Sequence, residues 1–205
     1  MKQYAVEMVG TFFLALTIAI SLTITGNVLA IGLMLMAMIY MANHVSGAHF
    51  NPAVSTSVWL RGAMSLKELC GYKIAQVSGA ALASCLFYIM TSSFFILSSE
   101  GLWLVGFIRE LLLTFVFCIV ILTVATTTIY KASHVVGLII GFTLVALASL
   151  TGTVNPALGA VSALGNVYNG DMMAAWLNVV VYVFGPLVGA FVAAMWFKYL
   201  NPREV

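Results

Sequence analysis

Between Lys2 and Arg61 the chain carries a single Asp, Glu, Lys or Arg residue, Glu7. The later stretches are similarly apolar, so charged residues make up 7% of the chain, against about 25% in an ordinary soluble domain. Hydrophobic residues make up 63%, more than a soluble core could hide, so much of the surface must face lipid. In hydrocarbon the backbone has to satisfy its own polar groups, which leaves helices or a closed barrel. The apolar runs are continuous rather than alternating, and that selects helices. The expected class is an all-α membrane protein.

Six spans are expected, at roughly 4–24, 28–46, 67–95, 102–128, 134–151 and 172–199, each near the length needed to cross a bilayer. Two pieces, about 51–60 and 155–164, are too short to cross and fit half-membrane, re-entrant helices. With six alternating spans, Lys2, Arg61, Lys67, Lys73, Lys131, Lys198 and Arg203 share one side. The other side has Thr25-Gly26-Asn27, Ser98-Ser99-Glu100 and Asp171, without Lys or Arg. The positive-inside rule then makes both termini cytoplasmic. The first span reads as retained, because no cleavage site follows it. Cys70, Cys85 and Cys118 lack ligand-like spacing and read as packing residues, with neither disulfide nor metal site.

The two halves repeat. Asn51-Pro52-Ala53 and Asn155-Pro156-Ala157 stand about half a chain apart, after Ser46-Gly47 and Thr151-Gly152. Glu7 precedes Asn51 by 44 residues and Glu110 precedes Asn155 by 45, each followed by a Thr-Phe pair. Gly79-Ala80 and Gly189-Ala190 mark the third span of each half. Three spans per half invert the second copy, and inverted repeats set their site near the midplane. The chain reads as one domain, 1–205, of inverted repeats at about 1–98 and 99–205.

Asn is a preferred N-cap, and Pro fits the first helical position. Two short helices entering from opposite faces would bring two positive helix ends and two Asn amides together. That arrangement suits a pore for small neutral molecules and opposes cations. Asn201-Pro202 has no repeat mate and reads as a helix stop.

Ser46-Gly-Ala-His-Phe-Asn-Pro-Ala-Val54 resembles the first signature of the aquaporin and aquaglyceroporin family (major intrinsic proteins), and Thr151-Gly-Thr-Val-Asn-Pro-Ala157 resembles the second. The likeness extends to Glu7, Glu110, Ala75-Gln76 with Gly79-Ala80, and Gly185-Pro186-Leu187-Val188-Gly189-Ala190. It implies an hourglass of six transmembrane and two half-membrane helices, in a homotetramer with one pore per subunit. It further implies passive conduction of water or small neutral solutes, in a multi-pass protein of the plasma membrane. No cofactor, metal or nucleic-acid partner is expected. The implied midplane residues are Asn51, Pro52, Ala53, Asn155, Pro156 and Ala157.

The family's second signature usually continues with the Arg of the outer selectivity filter; here Leu158 follows Ala157. The other filter positions carry over as Ile31, Thr143 and Gly152. The second loop is one residue shorter than the first, so Leu144 and Thr153 are the alternatives to the last two. An apolar filter without its charge suggests weaker selectivity for water, with glycerol, urea, ammonia or hydrogen peroxide as candidates. The opposing reading is a dewetted, closed or structural protein of the same fold. Arg109 either reaches the outer vestibule and replaces the missing Arg, or pairs with a carboxylate or snorkels at a subunit interface. Glu7 and Glu110 read as braces for the loops rather than a proton relay, and His49 as lining or loop support. His44 and His134 are placed in the cytoplasmic vestibule. His44-Val45-Ser46-Gly47 faintly resembles an intramembrane serine protease motif but lacks the Gly two residues before Ser, so no enzyme is expected.

Overall fold

The computed structural model describes residues 1–98, 101–130 and 133–204, and all its regular structure is helical. Ser99, Glu100 and Lys131, assigned to loops above, lie outside the described residues. Helix α1 (Lys2–Ile20) continues through a π-helical turn, Ser21–Thr25, and stops at Gly26 in the left-handed conformation. Asn27 caps α2 (Val28–Ser46) through a bond from the Ala30 amide, and left-handed Gly47 ends it. After α3 (Pro52–Arg61), Ser65 and Glu68 form a reciprocal capping box at the start of α4 (Leu66–Thr91). Then come α5 (Trp103–Thr126), α6 (Val136–Ser149) and α7 (Pro156–Tyr168). The last span joins α8 (Met172–Val179) to α9 (Gly185–Leu200) through a second π-helical turn, Val180–Phe184.

Five of these stretches are long and apolar enough to cross a membrane: Lys2–Thr25, Val28–Ser46, Leu66–Thr91, Trp103–Thr126 and Met172–Leu200. The fifth span is the exception. Expected over 134–151, it is helical only over the 14 residues of α6, about 21 Å of rise against a hydrocarbon core of about 30 Å. Thr151 takes a left-handed φ of 59°, and the chain leaves the helix there to enter the second loop. The third span also ends early. Left-handed Ser92 stops α4 at Thr91, and the following segment turns inward to bury Phe95 and Leu97.

Packing repeats between the halves. Helix α1 lies on α4 and α5 on α9, while α2 lies on α6. The first two crossings pass over repeat-mate glycines. A Cβ on Gly79 would stand 2.2 Å from the Met8 carbonyl oxygen, and one on Gly189 would stand 2.4 Å from that of Leu111. Gly32 and Gly141 allow the third, where an added Cβ would meet the partner's carbonyl at 2.2 and 2.7 Å. The half-helices bridge the two halves: α3 packs on α9 as well as α4, and α7 packs on α4 as well as on α8 and the π-helical turn of the last span. Each is thus held between the last spans of both halves, so the turns that precede them meet inside the bundle.

The outer surface exposes large apolar side chains such as Phe13, Leu82, Ile89, Leu112, Phe142 and Phe191. Cys118 is buried, but Cys70 and Cys85, expected to be packing residues, lie exposed on the outside of α4. Helix α9 stops at Leu200, where Asn201 Nδ2 donates to the Phe197 carbonyl at 3.1 Å.

Candidate functional site

Asn51 caps α3, its Oδ1 accepting from the Ala53 amide at 2.8 Å; Asn155 caps α7, its Oδ1 accepting from Ala157 at 3.1 Å. Pro52 and Pro156 occupy the first helical positions, where no amide N–H is needed. Each Asn also reaches across to the other loop. Asn51 Nδ2 donates to the Val154 carbonyl at 2.7 Å, and Asn155 Nδ2 donates to the Phe50 carbonyl at 3.1 Å. A carboxamide nitrogen has two N–H donors, so each Asn keeps one after this exchange.

The accepting residues, Phe50 and Val154, have left-handed φ angles of 50° and 47°. Such conformations cost non-glycine residues about 1–3 kcal/mol and persist only where surroundings impose them. Here the surroundings are two buried carboxylates. Glu7 Oε2 accepts from the Phe50 amide at 2.7 Å and from Gln76 Nε2 at 2.8 Å. Its Oε1 accepts from Ser46 Oγ at 2.7 Å and the His49 amide at 2.9 Å. Glu110 Oε2 accepts from the Val154 amide, and its Oε1 from both the amide and hydroxyl of Thr153, all at 2.8 Å. Bonds to a charged acceptor contribute about 1.5–3 kcal/mol each, enough to offset the strain they hold in place.

Three cavities follow one another through the bundle. On the side carrying both chain ends, one of about 90 Å³ lies between Asn43, Thr126, His49 and apolar residues of α2, α3, α5 and α6. At the centre, a neck lined by Asn51 and Asn155 has about 10 Å³. A water molecule needs about 10–15 Å³ on this measure, so the neck has room for at most one water. Its remaining wall is largely apolar, with Leu14, Ile18, Leu35, Phe117 and Leu144. Beyond it a mouth of about 600 Å³ opens, lined in part by Arg109, Thr151, Gly152, Thr153 and Tyr182. Leu35, His49 and Phe117 border both the first cavity and the neck, while Thr153 borders both neck and mouth.

The profile of the Major intrinsic protein family matches residues 18–197. The chain belongs to the major intrinsic protein family. Glycerol uptake facilitator protein-like 6 of Lactiplantibacillus plantarum is 35% identical to it over the full length of both chains. Aquaporin NIP1-1 of Zea mays is 33% identical, over 95% of this chain and 73% of its own. Aquaporin Z of Brucella melitensis is 32% identical, over 87% and 84%. The X-ray structure of the aquaglyceroporin from Plasmodium falciparum shares the fold, with a TM-score of 0.80, 24% identity and coverage of 98% and 97%. As a major intrinsic protein, the chain is an integral membrane protein and a passive channel, not an enzyme.

In this major intrinsic protein the carried-over filter positions separate. Gly152 lines the mouth, but Ile31 and Leu158 are only 2% and 1% exposed, within the hydrophobic core. Thr143 is half-buried, with its hydroxyl bonded to the Ile139 carbonyl. Ile31, Thr143 and Leu158 lie outside the walls of all three cavities. The alternatives Leu144 and Thr153 line the neck. Adjacent helical residues point about 100° apart, so Thr143 and Leu144 cannot both face the pore. Pro52, Pro156, Ala53 and Ala157 are buried beside it. His44 and His134, expected in a vestibule, are exposed and line none of the three cavities.

Sequence reasoning missed part of the first loop's support. Ser55 Oγ lies 3.0 Å from His49 Nδ1 and accepts from Gln76 Nε2 at 2.9 Å, and the Tyr72 hydroxyl donates to the Ser46 carbonyl at 2.6 Å. Counting back from the Gly-Ala pairs, the repeat mate of Gln76 is Pro186, which has no side-chain donor. The signal was therefore absent from the repeat itself. The second half-helix is tied differently, with Ser162 Oγ accepting from the Leu97 amide and Asn178 Nδ2, both at 2.7 Å.

Proposed function

We propose that this chain conducts water and small neutral solutes passively through the line of three cavities, with Asn51 and Asn155 as the midplane donors. The observation that carries this reading is the neck, where both Asn residues meet and each retains an amide N–H after bonding across the loops. A water in the neck turns its oxygen toward those donors. The N-termini of α3 and α7 add partial positive charge at the same place, which opposes cations and protons. Leu144, Thr153 and Gly152 form the outer constriction, while Ile31, Thr143 and Leu158 support it from behind. Water and ammonia are nearest in size to the neck, with hydrogen peroxide next. Glycerol and urea require its apolar wall to give way, and the relative named as a glycerol uptake facilitator supports including them. A homotetramer in the plasma membrane, with cytoplasmic termini and one pore per subunit, completes the reading.

A second reading, a closed or structural member of the fold, is favoured by the width and apolar wall of the neck. Osmotic shrinkage of proteoliposomes separates the two. The conducting channel shrinks vesicles several times faster than protein-free controls, with glycerol and urea entering more slowly than water. Water flux equal to that of protein-free vesicles would overturn conduction and leave the closed form.

A further inference from the structure

Among the described Lys and Arg residues, Arg109 alone falls away from the side that carries the chain ends. It lies in the second turn of α5, inside a span, where an ionised side chain is costly unless it faces water or a partner. It faces the mouth, sharing that wall with Gly152, Thr153 and Tyr182. Thr153 continues from the mouth into the neck, which puts the guanidinium at the approach to the constriction. Its Nε is buried and has no hydrogen-bond partner among the described residues. Glu110 follows it in sequence, but that carboxylate is committed to Thr153 and Val154. The residue after the second Asn-Pro-Ala is a buried Leu158, and α7 carries no charged side chain.

We propose that Arg109, delivered from α5, is the charge that sets specificity at the outer mouth, repelling cations and donating hydrogen bonds to entering solutes. The proposal rests on the chain being a conducting channel. A guanidinium offers five donors in a fixed plane.

The test measures osmotic water flux and sodium and proton leak on the same proteoliposomes. Arg109→Gln should conduct water at least as fast as the parent while its cation leak rises about tenfold, equivalent to a barrier lowered by about 1.4 kcal/mol. Arg109→Lys, which keeps the charge, should leave the leak low. Parental water flux in Arg109→Gln with an unchanged leak would overturn the proposal alone; a parent without water flux would overturn the channel reading beneath it. Should Arg109→Gln fail to assemble, a chain with Arg61→Lys and Arg203→Lys retains Arg109 as its sole arginine. Butanedione in borate then blocks the guanidinium after folding. The leak should again rise, and an unchanged leak with modification confirmed by mass would overturn the proposal.

Discussion

Leu158 takes the position where the family usually places a filter Arg, yet its side chain is packed in the core at 1% exposure. An Arg there would not simply restore a missing filter. It would bury a charge among apolar side chains, and an uncompensated buried charge costs about 3–5 kcal/mol. Leu158→Arg should therefore give a low yield of assembled protein and a lower melting temperature in detergent, measured by static light scattering on heating. Normal assembly with glycerol flux reduced relative to water would instead mean that position 158 faces the pore. The other decisive residues were legible as types with a required chemistry: an Asn before Pro at each half-helix, and one carboxylate per half to hold the turn. Ser55, Gln76 and Tyr72 were not, because a hydroxyl or amide inside an apolar run has many structural uses and only the folded loop selects one.

Elements were legible wherever length and apolarity suffice. The first, second, fourth and sixth spans follow from long, largely apolar runs, and the half-helices from a cap followed by Pro. The fifth span was harder, since its apolar sequence continues past Ser149 while the helix does not. What ends it is Thr151 in the left-handed region, an unusual conformation for a β-branched residue that local propensity does not anticipate. Crossings between elements make a sharper prediction. In an exposed helix, replacing Gly by Ala stabilises by about 1 kcal/mol. At Gly79 and Gly189 the new methyl would meet a backbone carbonyl of α1 or α5, which no side-chain rotation can relieve. Gly79→Ala and Gly189→Ala should both be destabilising, by about 1–3 kcal/mol, seen as lower melting temperatures of similar size. A rise in either would mean that the two helices separate freely at that crossing.

For the whole molecule, the inverted halves explain why the paired Asn amides stand at the narrowest point of an apolar conduit. Clamping of α3 and α7 between the last spans of both halves brings their caps together at the centre, and the braces from Glu7 and Glu110 hold those caps in strained turns. The repeat made this meeting legible in the sequence; the width of the neck was not, because it depends on which neighbours along α6 and the second loop turn inward. Leu144 is one such residue, 4% exposed and part of the neck wall. Leu144→Ala removes volume from the constriction without touching the Asn pair, the braces or Arg109. If the neck limits solute size, glycerol entry should rise severalfold, while water, which already fits, changes by less than about twofold. Stopped-flow measurements of both solutes on the same vesicles give the ratio directly. An unchanged glycerol-to-water ratio in a variant that still conducts water would move the size limit from the neck to the mouth, where Arg109, Gly152 and Tyr182 line the wall.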